Sequence, residues 1–184
     1  MFGNIQTKQM DNSRVELPDL LLLEDYDGDY SSYMESVYLV FKKDFIIKKT
    51  KFRNEELKLK SHPLIQNKAY TFYHMTHEGK DEQNRLPDIR RCERMPWANP
   101  TIENCDKWNL KIWPQVRTGN GGTRNRLCIW LECEDKPDYM VILDIRKDYK
   151  LLWTAFVPQY LHEKRKKQKE YEAWLKTQKS PGNT

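Results

Sequence analysis

Two of the chain's four histidines, His74 and His77, lie in "AYTFYHMTHEGKDEQN", residues 69–84, where an aromatic run gives way to a polar loop. A histidine titrates near pH 6.5, so at such a place it can take or give a proton during a reaction. It can also ligate a metal, or serve as a hydrogen-bonded structural residue. Metal ligation has little support. No third ligand with zinc-like spacing stands nearby, and Cys92, Cys105, Cys128 and Cys133 are separated by twelve, twenty-two and four residues. A second cluster is "RRCERMPW", with Arg90, Arg91, Glu93 and Arg94 beside Trp97. Arginine forks grip phosphates and tryptophan stacks on bases; the same residues can equally form an internal ion-pair network. Thr154 stands in the otherwise apolar "LLWTAFVP", where its hydroxyl needs a partner, either a phosphate oxygen or a neighbouring strand. Arg126, Asp144 and Arg146 are likewise polar residues in apolar runs.

The elements that must position these groups follow from pattern. Ser31 or Ser32 caps a helix over roughly 31–45, with Tyr33, Val37, Val40 and Phe41 as its apolar stripe. "AYTFYHM" reads as a strand from its aromatic and β-branched content, which puts His74 at a strand end with His77 on the other side. "DIRRCERM" supplies a helical turn or two that stops before Pro96, and "WANP" and "TIEN" read as turn and irregular chain. From Trp108 to Val157 the alternation Trp108, Leu110, Ile112 and then Leu127, Ile129, Leu131 leads into "YMVILDIR" and "YKLLWTAFV". Short connections make this an antiparallel meander of four strands, with Pro114 placing the first at an edge or on a bulge. A charged helix over 159–177 follows, held at both ends by Leu161, Tyr171, Trp174 and Leu175. The expected class is α+β: N-terminal helices on a twisted four-stranded antiparallel sheet, with a C-terminal helix. The expected organisation is an acidic leader over 1–30, one domain over 31–178 and a flexible tail over 179–184.

Charge points to the partner. Residues 1–35 carry a net −6, whereas the whole chain carries +5, leaving +11 on the remainder. A basic body with an acidic leader fits a polyanion, nucleic acid above all, and the leader is a candidate cover for that surface. The run "EKRKKQKE" is either a solvated face or a phosphate contact. There is no Walker loop, G-x-G-x-x-G, H-E-x-x-H or G-x-S-x-G, so nucleotide hydrolysis, dinucleotide chemistry and serine esterase chemistry have no support, and no cofactor is expected. No apolar stretch approaches a membrane span, and the N-terminal sequence has no signal-type apolar region; the expectation is a cytoplasmic protein with reduced thiols.

The order of these pieces resembles the phage-type branch of the barnase, EndoU, colicin and RelE-like ribonucleases. It rests on "TFYHMTHEG", an arginine-rich helical segment, a four-strand meander and "WTAFVP" on the last strand, over residues from about 50 to 160. Phe156 stands where tyrosine is commoner in that branch, and the C-terminal helix is extra. The resemblance implies metal-independent RNA cleavage by attack of the 2′-hydroxyl on the adjacent phosphate. It implies His74 as acid/base, Arg91 and Arg126 as phosphate clamps and Thr154 as a donor to phosphate, with His77 in reserve. His77, Arg90, Arg94, Trp97 and Arg146 would contact RNA, and a cognate inhibitor protein would be a further partner. The competing classes are a non-catalytic nucleic-acid or protein-binding module using the same surface, and an inhibitor-like partner using the acidic leader.

Overall fold

The computed structural model describes residues 15–79, 81, 84–119 and 122–179. Helix α1, Tyr30–Phe41, starts two or three residues earlier than a Ser31 or Ser32 cap would place it. The cap is Asp29, whose carboxylate accepts from the Ser31 and Ser32 amides at 3.0 and 3.1 Å and from the Ser32 hydroxyl at 2.7 Å. A charged carboxylate is the stronger acceptor for orphan helix amides and is favoured by the helix dipole. Tyr33, Val37 and Phe41 form the buried stripe, and the helix continues as a π-turn over Lys42–Ile47. The hairpin β1 (Lys51–Phe52) and β2 (Glu55–Glu56) turns through Arg53 and Asn54, both at positive φ. Just beyond it, Lys58 bridges to the sheet: its amide donates to Lys150 O, and its carbonyl accepts from the Leu152 amide.

"AYTFYHM" is not a strand. Tyr70–Thr76 forms helix α2, and all seven of its residues are buried. Complete burial removes the alternation that separates the two conformations, so β-branched and aromatic content misleads here. Strands β3 (His77–Glu78) and β4 (Leu86–Pro87) pair briefly before α3 (Ile89–Glu93), which Asp88 caps. Helix α3 ends at Glu93, before Pro96, as expected, but Pro96 does not keep the following chain out of helix. It sits in the first turn of α4 (Met95–Glu103), where a missing amide costs nothing. The segments read as turn and irregular chain are therefore helical, with Trp97, Ala98, Thr101 and Ile102 buried.

The meander is present as β5 (Lys111–Gly119), β6 (Gly122–Leu131), β7 (Tyr139–Ile145) and β8 (Lys150–Phe156), antiparallel throughout in the order β5-β6-β7-β8. Pro114 lies on the edge strand, as its missing amide requires. Trp108 precedes the first strand: its amide and that of Leu110 bond to Asn104 O and Cys105 O, and Asn109 takes a positive φ between them. In β8 the pairing jumps from Leu143–Leu152 to Ile142–Thr154, so Trp153 is an extra, bulged residue.

One sheet face presents Ile129, Leu131, Tyr139, Val141, Leu143, Leu152 and Ala155 to the main core, shared with Tyr33, Phe41, Phe72, Trp97 and Ile102. The outer face carries a second core of Trp113, Cys128, Trp130, Met140 and Ile142. Helix α5, Leu161–Lys179, covers it with Tyr171 and Trp174. The helix is not held apolar at both ends, because Leu161 is 71% exposed. Its early part is tied instead by Lys164 to Asp138 at 2.8 Å, and by Lys111 Nζ, which donates to Gln168 Oε1 at 2.7 Å.

The leader is not a separate element where it is described. Leu17, Leu20 and Leu21 pack on the main core, Trp97 Nε1 donates to Pro18 O at 2.9 Å, and the Leu21 amide donates to Glu93 O. Residues 1–14 of the leader and 180–184 of the tail lie outside the described residues.

Candidate nucleic-acid interface and adjoining cleft

Three of the residues assigned to chemistry meet where α2 packs along β8. The His74 ring lies between Tyr70 and Trp153, each centroid 4.6 Å away, and the residue is 2% exposed. Burial, and then the charges of Arg85, Lys60, Arg91 and Arg126, push its pKa down to about 3. The imidazole is therefore neutral at pH 7 and a weak base, and it has no proton to donate as imidazolium. Thr154 Oγ1 donates to His74 O at 2.9 Å. Arg91 Nη1 donates to that carbonyl at 3.3 Å, to His77 O at 3.4 Å and to Thr154 Oγ1 at 3.1 Å. Its Nε lies 3.3 Å from Asp88 Oδ2. Arg91 thus ties the carbonyls at the end of α2 to α3 and β8. This internal use takes up donors that the sequence reading assigned to phosphate. His77 is half-buried, packed on Tyr73 at 4.4 Å with Nδ1 2.9 Å from Thr76 Oγ1, and burial holds its pKa below the ordinary histidine value.

Arg94 and Trp97 are also internal, which corrects their assignment to RNA. Arg94 is 7% exposed, bonded to Glu93 Oε2 at 2.9 Å and Arg90 O at 3.2 Å, with its guanidinium 5.2 Å from the Trp97 ring. Trp97 is 2% exposed and closes the main core against Tyr139. Arg90 is exposed and leans on Asp88 at 3.4 Å.

Arg126 and Arg146 belong to a different surface, the part of the outer sheet face beyond α5. Register places Arg117 directly across from Arg124, Gln115 across from Arg126, and Arg126 across from Asp144. Arg146 reaches back to Asp144, 1% exposed, at 2.6 Å. The bulged Trp153 receives the guanidinium groups of Arg126 and Arg124 at 5.1 and 5.7 Å. Burial, the leading effect, depresses the Arg126 pKa, and Arg117 and Arg124 add to it. Like charges directly across a strand pair cost stability, so this cluster of four arginines around one buried acid is a concentrated positive field. Arg117, Arg124 and Trp153 were missed in the sequence. The i, i+2 spacing of Arg124 and Arg126 on a strand was the available signal.

Trp153 and Thr154 also border a cleft of about 300 Å³ at the end of β8, together with Glu78, Arg85, Asp88, Arg91 and the start of α5. Among the described residues no group of three or more His, Cys, Asp or Glu could hold a metal ion. No helix among them is long and apolar enough to cross a membrane. Compared with known proteins, the chain matches no family model, no curated sequence and no solved structure.

Proposed function

We propose that the protein binds single-stranded RNA on the arginine-bearing part of its outer sheet face. The observation that carries this reading is the like-charged cross-strand pair Arg117–Arg124, set with Arg126 around Trp153. Such a surface neutralises phosphates, while arginine planes and an aromatic ring stack unpaired bases. The described part of the acidic leader packs on the main core, which lies on the other side of the sheet.

The test is the salt dependence of binding to an RNA oligomer. Each phosphate contact on a single strand contributes about −0.7 to the slope of log K against log salt. Replacing Arg117, Arg124 and Arg146 by Gln is expected to flatten that slope by about 2. An unchanged slope overturns the reading.

Metal-independent RNA cleavage is the second reading, and one observation favours it. Glu78 offers a half-exposed carboxylate within 4.0 Å of Arg91 at the cleft, a group able to take a 2′ proton in place of His74. Incubation with total RNA in EDTA, followed by mapping of 2′,3′-cyclic ends, separates the two readings.

A further inference from the structure

We propose that the cleft at the end of β8 receives one nucleobase from the strand held on the arginine face, an inference that rests on that face being an RNA site. Trp153 connects the two places: it carries Arg124 and Arg126 on the sheet face and also lines the cleft. At about 300 Å³ the cleft lies at the small end of ligand pockets, enough for one ring system rather than a longer segment.

Its polar groups sort into spent and unspent. Arg91 Nη1 is taken up by two carbonyls and Thr154, and its Nε faces Asp88 at 3.3 Å. Asp88 caps α3, and Glu163 accepts from the Gln159 and Tyr160 amides at 3.2 and 3.4 Å. Of the charged groups, two are left for a ligand. Among the described residues the Arg85 guanidinium, which lines the cleft, makes no ion pair and donates no hydrogen bond. Glu78 is half-exposed, with Arg91 Nη2 4.0 Å away. One group only donates and the other only accepts.

A phosphate does not suit this set, because three carboxylates line the cleft against two arginines. A neutral planar ring with donors and acceptors on its edge does suit it, since Arg85 and Glu78 can each find a partner. Phe156 and the 58% exposed Tyr160 supply apolar surface for the ring faces.

Equilibrium dialysis of the whole protein against adenosine, guanosine, cytidine, uridine and inorganic phosphate tests the proposal. At least one nucleoside is expected to bind, with an affinity that does not change between about 50 and 200 mM salt. Arg85→Met and Glu78→Gln are each expected to weaken that binding by about tenfold or more while the melting temperature holds. Three results overturn it: no nucleoside binds, phosphate displaces the bound nucleoside, or both variants bind as the parent does. Failure here is distinguishable from failure of the RNA face. If only the pocket is wrong, an RNA oligomer still binds with a steep salt slope and is indifferent to Arg85→Met. If the face is wrong, the oligomer's salt slope does not respond to loss of Arg117, Arg124 and Arg146.

Discussion

Acid should destabilise this protein through His74, and by an amount that can be worked out. The folded-state pKa is about 3 against 6.5 for the free side chain, because the ring is buried between Tyr70 and Trp153 among cationic neighbours. As pH falls through 6.5 the unfolded chain takes up a proton that the folded chain refuses until pH approaches 3. Stability from this residue is therefore complete above 6.5 and declines below it, by about 1.4 kcal/mol per pH unit. Between pH 7 and pH 5 the loss is about 2 kcal/mol, or about 4–8 °C in melting temperature for a chain of this size. Other groups titrate in that window, His77 in the same direction, so the comparison must be with a variant lacking only this imidazole. His74→Phe keeps a ring between Tyr70 and Trp153 and does not titrate. Urea unfolding of parent and variant at pH 7, 6 and 5 should give a parent curve that falls more steeply, by about 2 kcal/mol over the range. A constant offset between the curves is immaterial. Parallel curves refute the reasoning, since they mean that the ring protonates as readily in the folded protein as in the unfolded one.

Thr154→Val removes a hydroxyl that donates to His74 O and accepts from Arg91; unfolding in urea should show a loss of about 1–3 kcal/mol, because partly buried partners are left unmatched. Trp97→Phe keeps the core ring but deletes the donor to Pro18 O. It should cost about 1 kcal/mol in the same assay while leaving RNA affinity unchanged, and a loss of affinity without loss of stability would restore Trp97 to the binding surface.

Where a segment has one buried face, its sequence alone determined the structure. The stripe Tyr33, Val37, Phe41 specified α1, and the alternation Leu127, Ile129, Leu131 against Arg126, Cys128, Trp130 specified β6 and its two faces. Short connections specified the meander, and Pro114 narrowed its first strand to an edge or a bulge, of which the fold has the edge. These signals are local, because a half-buried helix or strand writes its own period into the chain. The excess of positive charge after residue 35 was also legible, as a property of composition.

Tertiary structure decided the rest. In α2 every residue is buried, so no periodicity remained to separate helix from strand. The bulge at Trp153 is a register shift between β7 and β8, invisible in either strand alone, yet it turns an apparently apolar tryptophan toward Arg124 and Arg126. The arginines divided the same way. Arg91 and Arg94 looked no different from Arg126 in the sequence, but the first two are enclosed by carbonyls and carboxylates of neighbouring elements. Whether a cation is spent or available depends on acceptors brought from distant positions, such as Thr154 for Arg91, 63 residues away. Only the folded chain assembles those partners, and only it buries His74 so that the ring stays unprotonated.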